Sequence, residues 1–410
     1  MESVVITGMG VVSPLGSDCL TLWNNLVGGA SGIKNIPELK ELTVTMGGPA
    51  QGFEPTRYLG AKDLRHMDRY CQMALCAGLD AVEDAQLSPG SYPDDRIGVM
   101  IGTGAGGLAS LEEQHRAFLE KGHRRVSPLT VPMFIVNMAS GTLAVRVGAK
   151  GPGMDVSSAC ATGGHALALA CRLIQCGDAD CMIAGGVEAC LTPFAVSAFA
   201  AMKALSTRND QPETASRPFD RDRDGFVMAE GGAVMVLEAH SRAKERGARI
   251  LAKIAGIGMS QDAYHMVAPD PDATAVVNAM RAAIRQAGIS TRDIGYINAH
   301  GTSTPLNDKT ETLAIKKVFG RDAYDVPVSS TKSMTGHLIG GAAGLETAIC
   351  VMAMQRGILP PTINLANPDP ECDLNYVPGR ALGKTVHYCM NNAFAFGGQN
   401  ICLVLEKGEG

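Results

Sequence analysis

The ten residues Val156–His165, VSSACATGGH, return as VSSTKSMTGH at Val328–His337. In this register Cys160 occupies the position that Lys332 occupies in the second copy. Each copy is a short β-branched run that leads through small residues to the start of a helix. Because one copy carries a thiol and the other carries a lysine and His337, the repeat predicts an active site divided between two halves of the chain.

The duplication extends beyond these copies and predicts the fold class. Three further pairs of segments match: Ala81–Ser88 with Ala283–Ser290, Arg96–Gly102 with Asp293–His300, and Val234–Glu238 with Cys402–Glu406. The apolar runs do not alternate with polar residues, which is typical of strands buried on both faces under helices. We therefore predict an α/β fold with an internal pseudo-dyad, divided into an N-terminal half, residues 1–250, and a C-terminal half, residues 251–410.

Composition excludes several function classes. The chain has 410 residues, 46% of them hydrophobic, which is enough for a large core. Its net charge is −5 without a basic run, which argues against a nucleic-acid partner. No apolar stretch reaches the roughly 20 residues of a membrane span, and the start MESVVITGMG predicts a core strand rather than a signal peptide. Twelve cysteines without a CxxC pair predict reduced thiols and a cytoplasmic protein.

Cys160 differs from the other cysteines in its setting. It follows Ser157 and Ser158 at a strand end, and the small residues after it permit a sharp bend into a helix. A thiol at the positive end of a helix dipole is expected to have a lowered pKa, so we predict that Cys160 is the nucleophile. Inert packing is predicted for the cysteines with apolar neighbours: Cys71, Cys76, Cys171, Cys176, Cys181, Cys190, Cys350 and Cys402.

The second half supplies the candidate proton donors. His300 ends the apolar run Ile294–Asn298, and open α/β sheets place their sites at such carboxyl ends of strands. Lys332 and His337 lie on one short segment, and the duplication places Lys332 in the same cleft as the nucleophile. For His165, the matching histidine of the first copy, we predict a structural role.

With these residues in view, the chain resembles the β-ketoacyl-acyl carrier protein synthases of the thiolase-fold superfamily, and among them the type II elongating synthases. The resemblance covers essentially the whole chain. It rests on these motifs: SSACATG around Cys160, ALSTRND at 204–210, RPFDRDRDGFVMAEG at 217–231, DAYHM at 262–266, NAHGTSTPLND at 298–308, SSTKSMTGHLIGGAAGLE at 329–346 and AFGGQN at 395–400. The resemblance implies a five-layered αβαβα sandwich built from two duplicated halves, and the Cys–His–His set resembles the elongating class.

The resemblance also implies the reaction. Cys160 would accept an acyl group from a carrier thioester, and His300 and His337 would promote decarboxylation of a malonyl-carrier, giving a 3-oxoacyl-carrier for fatty-acid or polyketide elongation. The backbone N–H groups of Cys160 and Phe396 would hold the oxyanion. Further roles implied are a fixed charge on Lys332 near Glu346, a gate at Phe396, Gly397 and Gly398, and pantetheine binding by Thr302 and Thr304.

Neither a resident cofactor nor a metal is implied, because phosphopantetheine arrives on the carrier protein. The resemblance implies an acyl carrier protein as partner, and a homodimer or a heterodimer with a ketosynthase-like subunit. Carrier proteins are acidic, so the docking candidates are basic residues: Lys62, Arg65, Arg69, Arg124, Arg125 and Lys203. His66 stands where a basic residue is usual.

The acyl pocket is predicted to include Ala105, Leu129, Thr130 and Phe199. Ala105 stands where a bulky aliphatic residue is frequent, and Leu129-Thr130 where aromatic residues are frequent. Val267-Ala268 replaces small hydroxyl residues, and Ala395 replaces a gate glycine, which restricts φ. These departures predict either a wider pocket for a longer or polyketide-like chain, or neutral drift.

Three function classes stay open on the sequence. The first is a carrier-dependent decarboxylating condensing enzyme, in fatty-acid elongation or as the ketosynthase subunit of a type II polyketide pathway. The second is a thiolase-like acyltransferase that uses coenzyme A thioesters. The third is a catalytically silent partner subunit, against which Cys160 argues.

Overall fold

The computed structural model describes residues 2–409. The strands are β1 (Val4–Val12), β2 (Lys34–Asn35), β3 (Met46–Gly47), β4 (Ile97–Gly102), β5 (Gly153–Met154), β6 (Cys181–Glu188), β7 (Gly231–Ala239), β8 (Ala252–Gln261), β9 (Ile294–Asn298), β10 (Val328–Ser329), β11 (Ile358–Leu359), β12 (Leu382–Gly383), β13 (Tyr388–Phe394) and β14 (Gln399–Lys407).

The α-helices are α1 (Cys19–Val27), α2 (Ala61–His66), α3 (Arg69–Asp84), α4 (Leu108–Lys121), α5 (Thr130–Phe134), α6 (Met138–Val147), α7 (Thr162–Gln175), α8 (Pro193–Ala201), α9 (His240–Glu245), α10 (Thr274–Ala287), α11 (Pro305–Phe319), α12 (Lys332–Thr335) and α13 (Ala342–Arg356). Within residues 2–409, no helix combines the length and the apolar character needed to cross a bilayer.

The strand order has the symmetry that the duplicated sequence predicts. Ten strands pair in the order β10-β9-β13-β14-β8-β1-β7-β6-β4-β5. From the centre outward, β1, β7, β6, β4 and β5 of the first half therefore mirror β8, β14, β13, β9 and β10 of the second. The halves join where β1 pairs with β8, at Val5 with Lys253 and Ile6 with Ala252. Three of the four matched pairs of segments lie on equivalent elements, and the predicted α/β duplication is confirmed. The predicted register of the fourth pair is wrong, because the turn Ala159–Ala161 before α7 has its counterpart in the turn Ile339–Gly341 before α13, so that Cys160 corresponds to Gly340 rather than to Lys332.

Helices cover both faces of these strands, which explains their uniformly apolar sequences. Every residue of β1, β4, β6 and β7 is buried. On the outside, α3 and α6 pack over the first half, and α10 and α11 pack over the second. Between the halves, α7 and α13 contact each other and the strands on either side, and residues 342–354 of α13 are all buried. This is the predicted αβαβα layering.

Glycines allow the two central helices to approach closely. A Cβ atom on Gly163 of α7 would lie 2.7 Å from the backbone nitrogen of Gly344 on α13. A Cβ atom on Gly186 of β6 would lie 2.6 Å from the Cα of Gly163. α7 begins directly after the turn Ala159–Ala161, and α13 begins directly after the turn Ile339–Gly341 that follows His337. The close packing of the two helices therefore brings Cys160 and His337 to one place.

Candidate active site

Cys160 lies on a strained turn between β5 and α7. It is the central residue of a 3-10 turn, Ala159–Ala161, that leads directly into the helix. Ala159 has a φ of 47°, a left-handed conformation that is uncommon for a residue with a side chain. This geometry resembles a nucleophile elbow, in which a sharp strand-to-helix turn presents the reactive atom.

The structure brings Cys160, His300 and His337 together. One ligand atom of each, the thiol sulfur and a ring nitrogen of each histidine, lies within 4.8 Å of the other two, and all three residues are buried. The two imidazole centroids are 5.5 Å apart and the rings meet edge to face. Residues from the two halves thus form one cluster, as the duplication predicts.

The prediction that the pKa of Cys160 is lowered is wrong. Burial raises the pKa of the thiol to about 11, against the lowering effect of Lys332 and of the backbone N–H groups of Phe396 and Cys160. The lysine charge and the two N–H groups therefore do not compensate for the loss of water around the sulfur. Both N–H groups that would form the oxyanion hole do point to this sulfur.

His337 is fixed as a donor that faces the cluster. Its Nδ1 accepts a hydrogen bond from the backbone N–H of Ile339 at 3.3 Å, which leaves the proton of the neutral ring on Nε2. Within residues 2–409 this buried Nε2 has no hydrogen-bond partner. Burial, and next the charge of Lys332, lower the pKa of His337 well below its ordinary value, so the ring is neutral at pH 7.

His300 is held through its backbone. Its N–H donates to Glu311 at 2.9 Å, and the N–H of Gly301 donates to the other oxygen of that carboxylate at 2.8 Å. Phe394 packs edge-on against the imidazole, with ring centroids 5.8 Å apart. Burial first, and then Lys332 and His337, lower the pKa of His300 well below its ordinary value.

Lys332 forms a buried ion pair with Glu346 on α13. Burial raises the pKa of this carboxyl to about 7, against the opposing effect of the lysine. The Cys–His–His donor set also matches the chemistry of zinc ligands. The ammonium of Lys332 acts on all three groups and would repel a divalent cation, so the prediction that no metal belongs here is kept.

A cavity of about 380 Å³ leads to the cluster. Thr302 and Thr304 line it, and their hydroxyls are hydrogen-bonded to each other at 2.9 Å. Phe396 also lines it, at the turn between β13 and β14. The next residues, Gly397 and Gly398, have φ values of 84° and 75°, which explains glycine at both positions.

Ala395 precedes the predicted gate, and its backbone conformation is compatible with a side chain. It is not among the non-glycine residues with a positive φ. Its N–H donates to Gln399 at 2.9 Å, and its carbonyl accepts from Gly398 at 2.9 Å. The gate is also tied to the loop after β8, because the N–H of Gly397 donates to Met266 at 2.8 Å.

The residues predicted for the acyl pocket do not line this cavity. Ala105 is exposed on the single chain, and Leu129 and Thr130 are half-buried at the start of α5. Phe199 lies closer, since its ring packs edge-on against Phe226, a lining residue, with centroids 5.7 Å apart. Their role as an acyl pocket stays a prediction.

All six docking candidates are exposed, and one of them forms an ion pair within the protein. Lys62 and Arg65 lie on α2, Arg124 and Arg125 lie in the 3-10 turn after α4, and Lys203 lies at the cavity mouth. Arg69 instead forms a bidentate ion pair with the buried Glu230, at 2.6 and 2.9 Å. The Arg69 side chain is 43% exposed, but its guanidinium is already paired with Glu230 and is less available to a carrier than the other five.

Two predictions about other residues have different outcomes. Cys176 is exposed at the end of α7, so the expectation that it packs inertly is wrong. The remaining cysteines of that group are buried, and this expectation is confirmed. His165 bonds through Nδ1 to the hydroxyl of Ser158 at 2.8 Å, inside its own copy of the repeat. This contact agrees with a structural role.

Sequence reasoning missed the buried carboxylates that support the site, Glu188 and Glu311. Glu188 accepts hydrogen bonds from the loop after β4 and from Gly340. It ends the otherwise apolar run of β6, and a charged residue at the end of a buried strand is a signal that could have identified it. Glu311 lies on α11, whose sequence gives no such signal.

Comparison with known protein families matches both halves of the chain. Residues 1–243 match the model of the beta-ketoacyl synthase N-terminal domain. Residues 251–366 match the model of the C-terminal domain of the same family. The resemblance that the motifs carry is therefore confirmed.

Curated relatives and solved structures agree with this assignment. The 3-oxoacyl-[acyl-carrier-protein] synthase 2 of Synechocystis is 48% identical and covers 99% of this chain and 98% of its own. The enzyme of the same name from Coxiella burnetii is 47% identical, with 98% of each chain covered.

Among solved structures, a type II polyketide ketosynthase bound to its acyl-carrier protein and a hexaketide has a TM-score of 0.93 and 34% identity, with 99% of both chains covered. A beta-ketoacyl synthase from Burkholderia phymatum has a TM-score of 0.92 and 35% identity, covering 99% of this chain and all of its own.

Proposed function

This chain belongs to the beta-ketoacyl synthase family, and we propose that it is an elongating 3-oxoacyl-[acyl-carrier-protein] synthase, an acyltransferase in class. Relatives with that name are 46–48% identical over nearly the whole chain. The observation that carries the proposal is the buried cluster of Cys160, His300 and His337, whose reactive atoms lie within 4.8 Å of one another.

The first step transfers an acyl group to Cys160. The sulfur attacks the thioester carbonyl, and the backbone N–H groups of Cys160 and Phe396 receive the oxyanion, because both point to that place. The carrier sulfur leaves and takes up a proton, which replaces the proton that the Cys160 thiol loses. Since the pKa of Cys160 is about 11, attack and proton transfer are expected to be concerted.

The second step uses two neutral histidines. Loss of CO2 from a malonyl thioester leaves an enolate, and its oxygen needs hydrogen-bond donors. The Nε2–H of His337 is preorganised for this role, and His300 is its neighbour. The enolate carbon then bonds to the acyl carbon, and the bond from that carbon to the sulfur of Cys160 breaks. The sulfur leaves as a thiolate and takes a proton from water, which restores the thiol. Burial, and next the charge of Lys332, lower the pKa values of both rings and so keep them neutral.

Phosphopantetheine enters through the cavity that Thr302 and Thr304 line. Both hydroxyls face this cavity and are near enough to bond to each other, so they can bond to the amides of the arm instead. The turn at Phe396–Gly398 opens and closes the inner end, since its two glycines adopt conformations that other residues rarely take. The protein itself needs no resident cofactor for this chemistry.

An acidic carrier protein docks by its negative charge at the cavity mouth, where Lys203 is exposed, with Lys62, Arg65, Arg124 and Arg125 as further contacts. The solved ketosynthase–carrier complex supports this type of partner. A solved ketosynthase with its chain length factor supports a paired arrangement of two such chains.

A second copy of this chain is the proposed subunit partner. The edge strand β5 has both residues exposed, and its unpaired backbone can extend a sheet into another chain. Two large apolar side chains are exposed at this edge: Met154 of β5 itself and Val145 of α6, which packs against β5, with 44 and 86% of their surface accessible. An edge and an apolar patch of this kind are typical of a homodimer interface.

The alternative is a ketosynthase subunit of a type II polyketide pathway, which solved structures with TM-scores of 0.93 favour. Acyl-carriers of increasing length and malonyl-carrier separate the functions, with product mass as the readout. Fatty acyl-carriers should acylate Cys160 and give 3-oxoacyl-carriers. Preference for poly-β-ketone chains indicates the polyketide role, equal turnover of coenzyme A thioesters indicates the thiolase-like role, and failure of all acylation overturns the proposal.

A further inference from the structure

Glu188 is a buried carboxylate that joins two segments of the site. It ends β6 and is fully buried. One oxygen accepts from the Thr103 hydroxyl at 3.0 Å and from the N–H of Ala105 at 3.2 Å. The other accepts from the N–H groups of Gly104 at 2.8 Å and Gly340 at 3.1 Å. Burial raises the pKa of Glu188, but all four contacts are donors and favour the charged form.

The two segments are packed too closely for either to move alone. A Cβ atom on Gly104 would lie 2.6 Å from a carboxylate oxygen of Glu188. A Cβ atom on Gly340 would lie 2.5 Å from the nitrogen of Gly104 and 2.8 Å from the same carboxylate oxygen. A side chain at Gly104 or Gly340 does not fit between the segments, and the carboxylate of Glu188 bridges them by its hydrogen bonds.

Gly340 is the neighbour of the residue that fixes the tautomer of His337. That residue, Ile339, has a φ of 47°, which is a genuine outlier for a β-branched residue and persists only where the surroundings impose it. In this conformation the N–H of Ile339 donates to Nδ1 of His337. Glu188 holds the peptide unit between Ile339 and Gly340 through the N–H of Gly340. This contact restrains the backbone of Ile339 and hence the direction of the N–H of Ile339.

We propose that Glu188 is a positioning residue for His337, which acts by holding the backbone at Ile339–Gly340 so that the imidazole keeps its proton on Nε2. The same carboxylate holds the loop of Ala105, the predicted acyl-pocket residue, and therefore transmits displacement of that loop to His337. This inference rests on the proposed function, because it assigns to Glu188 a share in the decarboxylation step.

The test is Glu188→Gln, which keeps the shape of the side chain but sets an amide N–H₂ group against N–H donors. We expect kcat for malonyl decarboxylation and condensation to fall by about 10- to 100-fold. The KM for malonyl-carrier and the rate of Cys160 acylation should change by less than about threefold. The nitrogen NMR signals of His337, assigned by their loss in His337→Ala, should change from the Nε2–H tautomer to a mixture of both.

The matched control is Glu238→Gln. Glu238 is a buried carboxylate of β7 that accepts from Thr7, Tyr92 and Arg246. It pairs with Cys181 at the start of β6, whereas Glu188 pairs with Gly231 at the other end. The two carboxylates are thus about 23 Å apart along the strands, at about 3.3 Å per residue. Glu238→Gln should lower thermal stability without changing kcat or the signals of His337.

The outcomes separate this proposal from the proposed function. Loss of stability in Glu188→Gln with unchanged kcat and unchanged His337 signals, as in the control, overturns the positioning role. Absence of acylation and condensation in the unmodified protein overturns the proposed function instead. If Glu188→Gln does not fold, Glu188→Asp keeps the charge but is too short to hold both segments, and the same division between kcat and acylation is expected.

Discussion

The two copies of the repeated sequence meet in one site but differ in backbone and in electrostatics. Cys160 lies in a 3-10 turn directly before the long helix α7, whereas Lys332 begins the short helix α12. In the first copy Cys160 is surrounded by protein, and burial raises the pKa of its thiol to about 11. In the second copy Lys332 is equally buried and pairs with Glu346. Because the copies meet in one cluster, the charge of the second acts on the thiol of the first. The two copies thus supply complementary groups, a thiol and a cation, from different positions of the duplicated fold, in which the counterpart of Cys160 is Gly340.

The histidines that end the two copies of the repeated sequence also differ, in their hydrogen-bond partners. His165 bonds to Ser158 within its own turn. His337 instead accepts from the backbone of Ile339 and directs Nε2 to the cleft. The two histidines match in sequence but not in the fold, because His165 lies within α7 and His337 precedes the turn Ile339–Gly341. The backbone position and the hydrogen-bond partner of each ring decide which one can act on a substrate.

The loops after β4 and β9 extend the comparison to carboxylates. Aligned by the duplication, Thr103-Gly104 corresponds to His300-Gly301. Glu188 accepts from the first loop, and Glu311 accepts from the backbone of the second. Both halves thus use a buried glutamate to hold the loop that follows an equivalent strand, although the two glutamates come from different elements.

The largest expected effect on the condensation rate comes from replacing Cys160, and replacing another cysteine should have no such effect. Cys160→Ala should reduce condensation by at least about 10⁴-fold, because the covalent intermediate cannot form. Cys176→Ala, at the exposed thiol, should leave the rate unchanged. In both variants, product mass measures condensation and intact-protein mass measures acylation of the protein. Condensation within tenfold of the unmodified rate in Cys160→Ala would break the assignment.

The pH dependence of alkylation tests the electrostatic contrast. Since burial raises the pKa of Cys160 to about 11, only a small fraction is thiolate at pH 7. In a Cys176→Ser background, alkylation of Cys160 should rise about tenfold per pH unit, or about 10³-fold from pH 7 to 10. Lys332→Met should slow it at each pH, because Lys332 lowers this pKa. A plateau below pH 8 would instead support dominance by the helix dipole.

The two histidines provide the next test. His337→Ala should lower malonyl decarboxylation by about 10²- to 10³-fold, the usual cost of losing one donor to a developing oxyanion, and His300→Ala should do the same. His165→Ala should change the rate less than about threefold. Acyl-Cys160 should still accumulate in all three, as followed by intact mass. Equal losses at His165 and His337 would contradict their different roles.

The smallest expected effect concerns the loop that Glu188 holds. Ala105→Ile adds three carbons, and overpacking costs about 1–3 kcal/mol at filled sites. Because Ala105 is exposed on the single chain, we expect the lower end, about a fivefold loss of acylation by long chains, with short chains unaffected. Acylation rate against chain length is the measurement. Equal loss at every length would indicate damage to the fold.

The sequence predicted the framework well because repetition and burial leave direct signals. Uniformly apolar strands predicted a sheet covered on both faces, and matched motifs predicted the symmetric order of strands. The same patterns indicated Cys160, His300, Lys332 and His337, which the structure brings to one cluster or its immediate support. The exposure of Cys176 and the ion pair of Arg69 with Glu230 were not predictable, because each depends on which face of a helix meets the rest of the molecule.

By itself the sequence determined the α/β duplication, the family, and the residues able to do the chemistry, because these follow from residue types at fixed spacings. Only the tertiary structure decided their state. The pKa of Cys160, the tautomer of His337 and the anchoring by Glu188 and Glu311 depend on burial and on donors that lie far away in the chain. Desolvation and hydrogen-bond geometry are properties of packed neighbours, and no local pattern in the sequence specifies them.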